Sequence, residues 1–401
     1  MPRSVIILFS LIPCVTSVGF CLFSLYSAAT FFSRKGGADP AFTPPVSVLR
    51  SVCGADAGTY ENLASFCRQD YPQFQVLLAV HDPQDPAVPV IRRLIRDFPA
   101  AGVQLIFCPR TAGSNPKISN LLQAEPKARY PLLLICDSDI RVQRDFLRRV
   151  VQPARDPGVG AVTCMCRSLS KGRIGTLEGL RESTEFCPGV LAADRLEGIR
   201  FGLGSAILVR REALDRIGGL ASVADYLADD FLLGNRVAKA GYRVVLSETV
   251  VEHQLSVEGF GSLAQRQLRW NRGIRVCRPW GYLGIFFTYG IPMSFFLLLA
   301  AGGAAWVWGI LAAVWSARLL MAYVVGARLL QDRAARRFLW MVPLQDLFSF
   351  TLWFMGLFGR AIHWRGRAYR LADDGKLIPV GGPAHAVAAP YEDETVAAAA
   401  Q

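Results

Sequence analysis

The sequence predicts an α/β protein in which a Rossmann-like domain is joined to transmembrane helices. Between about residues 35 and 278, apolar runs of strand length alternate with amphipathic helical segments. That order is typical of a mostly parallel sheet with helices on both faces. Long uncharged runs flank this region, and 52% of the 401 residues are hydrophobic, with a mean hydropathy of +0.29. A soluble domain needs less apolar surface, so both flanks are expected to enter a membrane.

The first element is an uncharged segment at residues 5–32, VIILFSLIPCVTSVGFCLFSLYSAATFF. About 20 apolar residues are enough to cross the hydrocarbon core of a bilayer. A cleaved signal peptide is the alternative, but its apolar core is only about 7–15 residues long. The segment also lacks a convincing cleavage site between small residues. It is therefore predicted to be a transmembrane anchor.

The next elements form the predicted Rossmann-like half of the middle domain. In such sheets, ligands bind beyond the carboxyl ends of the strands, so residues that follow the strands are candidates for a binding site. The strands are VSVLRSV (46–52), FQVLLAV (74–80), VQLIFC (103–108) and the apolar part of PLLLICDSD (131–139), separated by helices near 59–69, at 88–98 and after NPKISNLL (115–122).

A second membrane region is predicted at residues 279–359, with about three hydrophobic segments. The chain carries no charge from 279 to 317, and Asp346 is the only charged residue between 338 and 359. Carboxylates survive inside membranes when they face other helices, so Asp346 is predicted to be a packed polar residue. Residues 360–380 are interpreted as a basic juxtamembrane tail, and the Ala- and Pro-rich residues 381–401 are expected to be disordered.

The basic residues beside the apolar segments predict which side of the membrane the middle domain occupies. Arg34 and Lys35 follow the first segment, whereas Arg3 alone precedes it, so residues 35–278 are predicted to be cytoplasmic. The basic segment HWRGRAYR at 363–370 also favours the cytoplasm, and four simple crossings cannot satisfy both. One segment is therefore expected to be re-entrant or interfacial, and the number of crossings stays open.

Charge and cysteine content exclude other classes of protein. The net charge of +12 is expected to attract anionic lipid head groups, and no nucleic-acid-binding module is visible, so no nucleic acid is expected as a partner. The ten cysteines include no CxxC pair. Cys164 and Cys166 alternate in the strand-like VTCMC, which indicates buried, reduced thiols rather than a zinc site.

Acidic residues follow two of the predicted strands. Asp82 comes directly after FQVLLAV, where its carboxylate could accept hydrogen bonds from a uracil ring or a ribose, although such a residue is also a common helix cap. Asp137 and Asp139 follow LLLIC and are separated by one residue. Carboxylates in that position can bind Mg²⁺ or Mn²⁺, which in turn bridges a diphosphate. The sequence therefore predicts a metal site at Asp137 and Asp139.

Three further groups of residues are candidates for the same site. Lys117 lies at the start of a predicted helix, where its ammonium could reach a phosphate or simply remain in solvent. Asp229 and Asp230 lie in ADDFLLGNRVAKAGYRV, the start of an amphipathic helix, and the helix dipole alone would favour them there. Arg266, Arg269 and Trp270 share a helix face, which suits either a diphosphate and an acceptor or anchorage in the membrane interface.

Together these segments resemble an inverting, processive-type family of GT-A glycosyltransferases. Within it, the chain is most similar to ceramide glucosyltransferases and to the related bacterial hopanoid-linked glycosyltransferases. The resemblance extends from the first apolar segment to about Leu371. It depends on DYPQFQVLLAVHDPQDPAV, GSNPKISNLL, LLLICDSDIRV, ALDRIGGL, YLADDFLLGNRVAKAGYRV, RQLRW and HWRGRAYRL, which are far more specific together than singly.

The resemblance implies a role for each candidate residue. Asp82 matches the first Asp of the family, in the nucleotide pocket, and Asp137 the second, at the metal and diphosphate. Asp230 matches the third, the catalytic base. Lys117 and Asp229 are assigned with Asp82 and Asp137 to the nucleotide-sugar site, and Arg266, Arg269 and Trp270 match the Q/R-x-x-R-W signature. Asp139 departs from the eukaryotic ceramide enzymes, which tend to have Gly there, and it supports dependence on Mg²⁺ or Mn²⁺.

The expected function is therefore transfer of a hexose from UDP-glucose or UDP-N-acetylglucosamine to the hydroxyl of a membrane lipid such as ceramide or a hopanoid. The alternative is a polysaccharide synthase with the same motifs, which should have more spans to form a polymer channel. A non-enzymatic membrane scaffold would have no reason to retain four charged clusters in order, namely Asp82, Asp137 with Asp139, Asp229 with Asp230, and RQLRW. Because the composition is rich in Ala, Arg and Gly, a bacterial inner membrane is the expected location.

Overall fold

The computed structural model of the chain describes residues 3–34, 37, 39–56, 58–169, 172–254, 259–364 and 366–380. The tail expected at 381–401 lies outside these residues. The strands are β1 Val46–Val52, β2 Phe74–Val80, β3 Val103–Phe107, β4 Leu132–Cys136, β5 Ile140–Arg141, β6 Val159–Ser168, β7 Ala206–Arg210, β8 Arg243–His253, β9 Ala361–Trp364, β10 Arg367–Leu371 and β11 Leu377–Pro379.

Helices connect the strands of the middle region and also form the apolar regions on either side of it. Two helices continue into π-helical turns, α6 at Glu182–Phe186 and α13 at Ala322–Leu329. The helices are α1 Arg3–Phe32, α2 Thr59–Cys67, α3 Ala87–Asp97, α4 Pro116–Ala124, α5 Phe146–Val150, α6 Gly172–Arg181, α7 Cys187–Glu197, α8 Arg211–Arg216, α9 Asp229–Lys239, α10 Phe260–Cys277, α11 Pro279–Gly284, α12 Gly290–Ala300, α13 Ala305–Met321, α14 Arg333–Arg337 and α15 Val342–Gly356.

The central feature is an eight-stranded sheet in the order β3-β2-β1-β4-β7-β6-β8-β5. The half formed by β3, β2, β1 and β4 is parallel, which confirms the Rossmann-like half. The other half is mixed, because β7 runs antiparallel to both β4 and β6, and β5 runs antiparallel to β8. The sheet is thus less parallel than the sequence predicts. An α/β pattern cannot reveal this, because strand direction depends on connections whose path is decided in three dimensions.

Both faces of the sheet are buried, since alternate residues of each strand point to opposite sides. In β1, Val46 and Val48 pack with Leu63 of α2 on one face. Leu49 packs on the other face, in a cluster that also contains Phe31 of α1 and Met321 of α13. The apolar helices therefore pack directly against the eight-stranded sheet, which places the carboxyl ends of the strands at a fixed position relative to them.

Two helices are long and apolar enough to cross a membrane, α1 and the continuous stretch Ala305–Leu329. Small and polar residues line the buried stripe of α1, among them Ser10, Cys14 and Ser17, which allow α12 and α13 to approach closely. The predicted anchor at 5–32 thus coincides with a helix that has the length and composition of a span.

The remaining apolar segments do not form simple spans. The stretch Pro279–Thr288 and α12 are long and apolar enough to cross a membrane only when they are taken together, and the chain bends by 58° between them. Such a pair is either a broken span or a re-entrant segment. Helix α15 has 15 residues, which is fewer than the about 20 that a straight span needs. The described residues thus hold two candidate spans, or up to three if the bent pair counts as one.

Residues 360–380 form a small sheet rather than the basic tail that the sequence predicts. Strands β9, β10 and β11 pair antiparallel. The small sheet attaches to the middle domain, because Leu377 N–H donates to the Asp225 carbonyl at 2.7 Å and Tyr226 pairs with Lys376 in an isolated β-bridge. The sequence suggests a tail because its many arginines conceal the alternation of Ile362, Tyr369 and Leu371, which form the core of the small sheet.

The lone carboxylate of the apolar region forms an ion pair in the structure. Asp346 of α15 accepts two hydrogen bonds from the guanidinium of Arg318 in α13, at 2.7 and 2.9 Å, and both side chains are buried. Arg318 also donates to the carbonyl of Thr184 in the π-helical turn after α6, at 2.9 Å. The prediction that Asp346 is a packed polar residue is confirmed, and its partner joins two apolar helices to the middle domain.

Asp346→Ala is expected to lower the free energy of unfolding by about 3–5 kcal/mol, because Arg318 would remain buried without its counter-charge. The midpoint of thermal unfolding in detergent measures this loss. Replacing both residues by Leu should recover most of the stability, since a buried ion pair can often be exchanged for apolar packing. Equal midpoints for Asp346→Ala and the unmodified chain would show that the pair contributes nothing.

Candidate active site

Four carboxylates and a lysine meet beyond the carboxyl end of the parallel strands. Asp137 and Asp139 lie in the turn between β4 and β5, and Asp229 and Asp230 form the first turn of α9. Lys117 joins the two pairs, because its Nζ lies 2.7 Å from Oδ1 of Asp137 and 3.1 Å from Oδ2 of Asp229. The structure therefore brings residues that are more than 90 positions apart into one cluster, as the sequence analysis expects.

The lysine is held by the helix on which it lies. Asn115 caps α4, and its side-chain oxygen accepts hydrogen bonds from the backbone N–H groups of Lys117 and Ile118 at 3.0 and 3.2 Å. The same fully buried side chain donates to Oδ1 of Asp229 at 3.1 Å. Burial alone would lower the pKa of Lys117, but Asp137 and Asp229 raise that pKa well above its usual value. The ammonium is therefore charged and bridges the two carboxylates.

Asp230 has the electrostatic environment of a base. Burial, and after it the charge of Asp229, raises the pKa of Asp230 to about 6, although Lys117 opposes the increase. Its Oδ1 accepts a hydrogen bond from the N–H of Phe231 at 2.8 Å. A carboxylate with a pKa near 6 is both ionised at neutral pH and basic enough to accept a proton from a hydroxyl.

A glycine loop separates Asp230 from the metal-site turn. A Cβ atom on Gly204 would lie 2.9 Å from Oδ2 of Asp230 and 3.4 Å from Oδ2 of Asp137. A Cβ atom on Gly202 would lie 2.6 Å from the Asp230 carbonyl. Only glycine lets this loop pass between the two carboxylates. The sequence analysis misses both glycines, and the pattern Gly-Leu-Gly before β7 is the signal that could have indicated them.

Asp139 is bound to a histidine that the sequence analysis also misses. His253 ends β8, next to Ile140 across the β5–β8 ladder, and its Nε2 lies 3.2 Å from Oδ2 of Asp139. Burial alone would raise the pKa of Asp139, but His253 and Arg266 outweigh it and hold that pKa below its usual value. The side chain of Asp139 is therefore ionised at neutral pH. Its position at the end of a strand, on this edge of the sheet, is the sequence signal that could have indicated His253 as a candidate.

These donors fit a divalent metal. Oδ1 of Asp139 is buried and has no hydrogen-bond partner among the described residues, so one hard oxygen is free to bind a cation. Asp137 offers a second carboxylate. Burial alone would lower the pKa of His253, but Glu182 and Asp139 raise that pKa well above its usual value, so the imidazole must release a proton before it can bind an ion. The carboxylates alone are suitable for Mg²⁺ or Mn²⁺.

A buried arginine supports the turn that carries Asp137 and Asp139. Arg50 is fully buried in the middle of β1, and its guanidinium donates to the carbonyls of Asp137 and Ile140 at 2.6 and 2.9 Å. The guanidinium also lies 4.3 Å from the centre of the Phe66 ring. This arginine fixes the backbone of the turn rather than its side chains. A charged residue inside the apolar strand VSVLRSV was its only signal.

Asp82 lies two residues beyond β2 on the same sheet edge, but it is exposed. Its Oδ1 accepts a hydrogen bond from the N–H of Gln84 at 2.8 Å, as a turn residue does. No hydrogen bond within the described part of the chain joins it to the carboxylate cluster. Asp82 follows β2 and Asp137 follows β4, with β1 between these two strands, so the role of Asp82 in a nucleotide pocket stays a prediction.

The arginines and tryptophan of RQLRW lie on α10, and they face different neighbours. Arg266 lies close enough to Asp139 to lower its pKa. The guanidinium of Arg269 lies 5.4 Å from the ring centre of Trp364 in β9. Trp270 has one face covered by Arg181 at 4.9 Å. Arg266 therefore faces the candidate metal site, whereas the other two also attach α10 to the small sheet and to α6.

Comparison with known sequences places these features in a wider group. The sequence model described as "Glycosyl transferase family 21" matches residues 10–377. Ceramide glucosyltransferase 3 of Caenorhabditis elegans is 26% identical over 378 residues, which cover 90% of this chain and 81% of that protein. Ceramide glucosyltransferase 1 of the same organism is 30% identical over 234 residues, which cover 56% of this chain and 50% of that protein.

Comparison with solved structures supports the same fold. The mannosyltransferase PcManGT from Pyrobaculum calidifontis, solved in complex with GDP-Man and Mn²⁺, superposes with a TM-score of 0.57 at 20% sequence identity. The superposition covers 88% of this chain and 99% of that chain. At this identity the likeness shows the fold alone, which is the mixed α/β sheet of GT-A glycosyltransferases.

Proposed function

The chain belongs to glycosyl transferase family 21 and is a glycosyltransferase, and we propose that it transfers a hexose from a UDP-sugar to the hydroxyl of a membrane lipid with inversion. The observation that carries this proposal is the pair formed by Asp230 and Asp137 on either side of Gly204. A Cβ atom on Gly204 would lie 2.9 Å from the base, whose pKa is raised, and 3.4 Å from the carboxylate suited to a metal-bound diphosphate. A single displacement needs these two groups in that arrangement.

In the proposed reaction, Asp230 takes the proton of the lipid hydroxyl. The oxygen attacks the anomeric carbon of the sugar from the face opposite UDP, the bond from that carbon to the diphosphate oxygen breaks, and UDP leaves with the bonding electron pair. An α-linked donor then gives a β-linked glycolipid. General-base assistance of this kind is typically worth about 10²–10⁴ in rate.

The residues around Asp137 are proposed to hold the donor. Lys117 and Arg266 supply positive charge for the diphosphate, and Asp82 and Asp229 belong to the proposed nucleotide-sugar site. A Mg²⁺ or Mn²⁺ ion bound by Asp137, Asp139 and His253 would offset the negative charge that develops on the departing UDP. Because Lys117 already bridges Asp137 and Asp229, the donor site is preorganised before any ligand enters.

The proposed lipid route begins at the end of α10. Burial, and after it the charge of Asp230, raises the pKa of Cys277 to about 12, so the base lies near the last residue of α10. The chain then turns into α11, where Trp280 is 83% exposed and Leu283 is 45% exposed. Tryptophan and leucine on a short helix between a catalytic domain and a candidate span suit the membrane interface. A lipid hydroxyl could thus reach Asp230 without leaving the bilayer.

The same features support a membrane location for the whole chain. A cytoplasmic catalytic domain and a bacterial inner membrane remain part of the proposal. A polysaccharide synthase is the rival function, and it should need more spans for a polymer channel than the two or three candidates in the described residues. The oligomeric state is not part of the proposal.

The test uses membranes that contain this protein, Mg²⁺ or Mn²⁺, and labelled UDP-glucose or UDP-N-acetylglucosamine. Ceramide and a hopanoid polyol are added in parallel, and label is counted in the organic phase. Label that requires an added lipid supports the proposal, and the better pair identifies donor and acceptor. Label in an insoluble polymer alone would favour the synthase, and label in neither phase would contradict both.

A further inference from the structure

We infer that Glu182 is a positioning residue that orients His253 toward Asp139, and so contributes to metal affinity without contacting the metal. The inference rests on the proposed function, because it assigns a role to the metal site. It concerns a residue that no sequence motif indicated. Glu182 lies in the π-helical turn after α6.

The carboxylate of Glu182 is buried and receives two hydrogen bonds at one oxygen. Its Oε1 lies 2.9 Å from Nδ1 of His253 and 3.0 Å from Sγ of Cys166. The Glu182 residue is 6% exposed, and Cys166 lies on the adjacent strand β6. Placing a carboxylate at such depth costs free energy unless it is well paired. The pairing is made through Oε1, since Oε2 is buried and has no hydrogen-bond partner among the described residues.

This contact holds the His253 ring in one orientation, with a different carboxylate at each nitrogen. Nδ1 is committed to Glu182, so Nε2 alone faces Asp139, at 3.2 Å from Oδ2. Histidines that bind metals usually donate their other ring N–H to a carboxylate, which fixes the tautomer and the ring plane. Loss of such a carboxylate typically weakens metal binding by about 10–100-fold. Cys166, Glu182 and His253 thus form a buried chain that leads to Asp139 at the candidate metal site.

The donor atoms of Cys166, Glu182 and His253 all lie within 4.8 Å of one another, so they could also hold an ion themselves. Their mutual hydrogen bonds argue against this. Glu182 Oε1 accepts from both partners, and the nitrogen that faces it is not the one that faces Asp139. The cluster is therefore a support for the site at Asp139 rather than a second metal site.

The helix that carries Glu182 is itself fixed by the RQLRW helix. Glu178 accepts a hydrogen bond from the buried side chain of Gln267, and Arg181 lies 4.9 Å from the ring centre of Trp270. Both contacts lie within one turn of Glu182, on α6 and its continuation. Contacts with α10 thus fix the position of Glu182, and Glu182 in turn orients His253.

The test measures Mn²⁺ binding directly, by the electron paramagnetic resonance signal of free Mn²⁺ in titrations of the purified full chain. Glu182→Ala is expected to bind Mn²⁺ about 10–100-fold more weakly than the unmodified chain. Glu182→Gln is expected to lose less affinity than Glu182→Ala, because its amide oxygen can still accept the Nδ1 hydrogen bond. Glu185→Gln is the matched control. Glu185 is in the same π-helical turn, but it contacts Ser349 and Tyr289 in the apolar region, so wild-type affinity is expected.

Activity provides a second readout. If Glu182 acts through the metal site, saturating Mn²⁺ should restore kcat in both variants, whereas a merely structural defect would not respond to Mn²⁺. Wild-type Mn²⁺ affinity in folded Glu182→Ala would overturn the inference. If that variant does not fold, Glu182→Gln decides in the same way. Absence of Mn²⁺ binding by the unmodified chain would instead contradict the metal site of the proposed function.

Discussion

Asp230→Asn is expected to lower kcat by about 10²–10⁴ while the fold and donor binding remain intact, because the amide cannot accept the proton of the acceptor hydroxyl. The amide has nearly the same shape and keeps an oxygen that can accept the hydrogen bond from Phe231 N–H. Steady-state transfer to lipid in membranes measures the loss, and the thermal unfolding midpoint confirms folding. Asp215→Asn, at an exposed position of α8, should leave kcat unchanged.

The pH dependence gives an independent test of the same residue. Only ionised Asp230 is a base, and its pKa is raised to about 6, so kcat is expected to fall as pH decreases below that value. On the acid side each pH unit should cost about tenfold, because the ionised fraction falls in that proportion. Asp230→Asn should lack this acid limb. An Asp230→Asn enzyme with more than a tenth of wild-type activity, or with the same limb, would show that another group is the base.

Gly204→Ala is expected to lower kcat/KM by about 10²-fold or more, because displacement of reacting groups by about 1 Å can have that effect. The new methyl group would lie 2.9 Å from Oδ2 of Asp230 and 3.4 Å from Oδ2 of Asp137. The first of these distances is shorter than Cβ contacts normally are, so the base or the loop must move. Gly204 does not have a positive φ, so alanine adds no backbone strain and the fold should persist.

The matched control for this substitution is Gly189→Ala in α7. A Cβ atom there meets nothing within 4 Å, so both activity and stability should remain at least at the wild-type level. Transfer kinetics and thermal unfolding are measured for both variants. Wild-type kcat/KM in Gly204→Ala would mean that the space between Asp230 and Asp137 is not used by the reaction. A lower unfolding midpoint without a change in kcat/KM would give Gly204 a purely structural role.

Local patterns in the sequence were sufficient to predict the strands of the parallel half and the residues that follow them. Strands β1 and β2 have the predicted bounds, since an apolar run of seven residues between polar turns has few other solutions. The carboxylates at Asp137 and Asp139 could be placed at the sheet edge because parallel strands end on one side. The apolar segment at 5–32 predicted α1, because a long uncharged apolar composition is by itself typical of a membrane helix.

Contacts between distant residues were decided only by the tertiary structure. Lys117 at the start of α4 meets Asp137 after β4 and Asp229 at the start of α9, and their distances could not be obtained from the pattern of any one segment. The same holds for the position of Gly204 beside Asp137 and for the contact of His253 with Glu182. The mixed direction of β7 and the small sheet at 361–379 likewise depend on pairings formed far along the chain. Sequence patterns describe neighbours along the chain. The residues of this cluster are far apart in sequence, and the distances between their side chains are set only when the strands pair into the sheet.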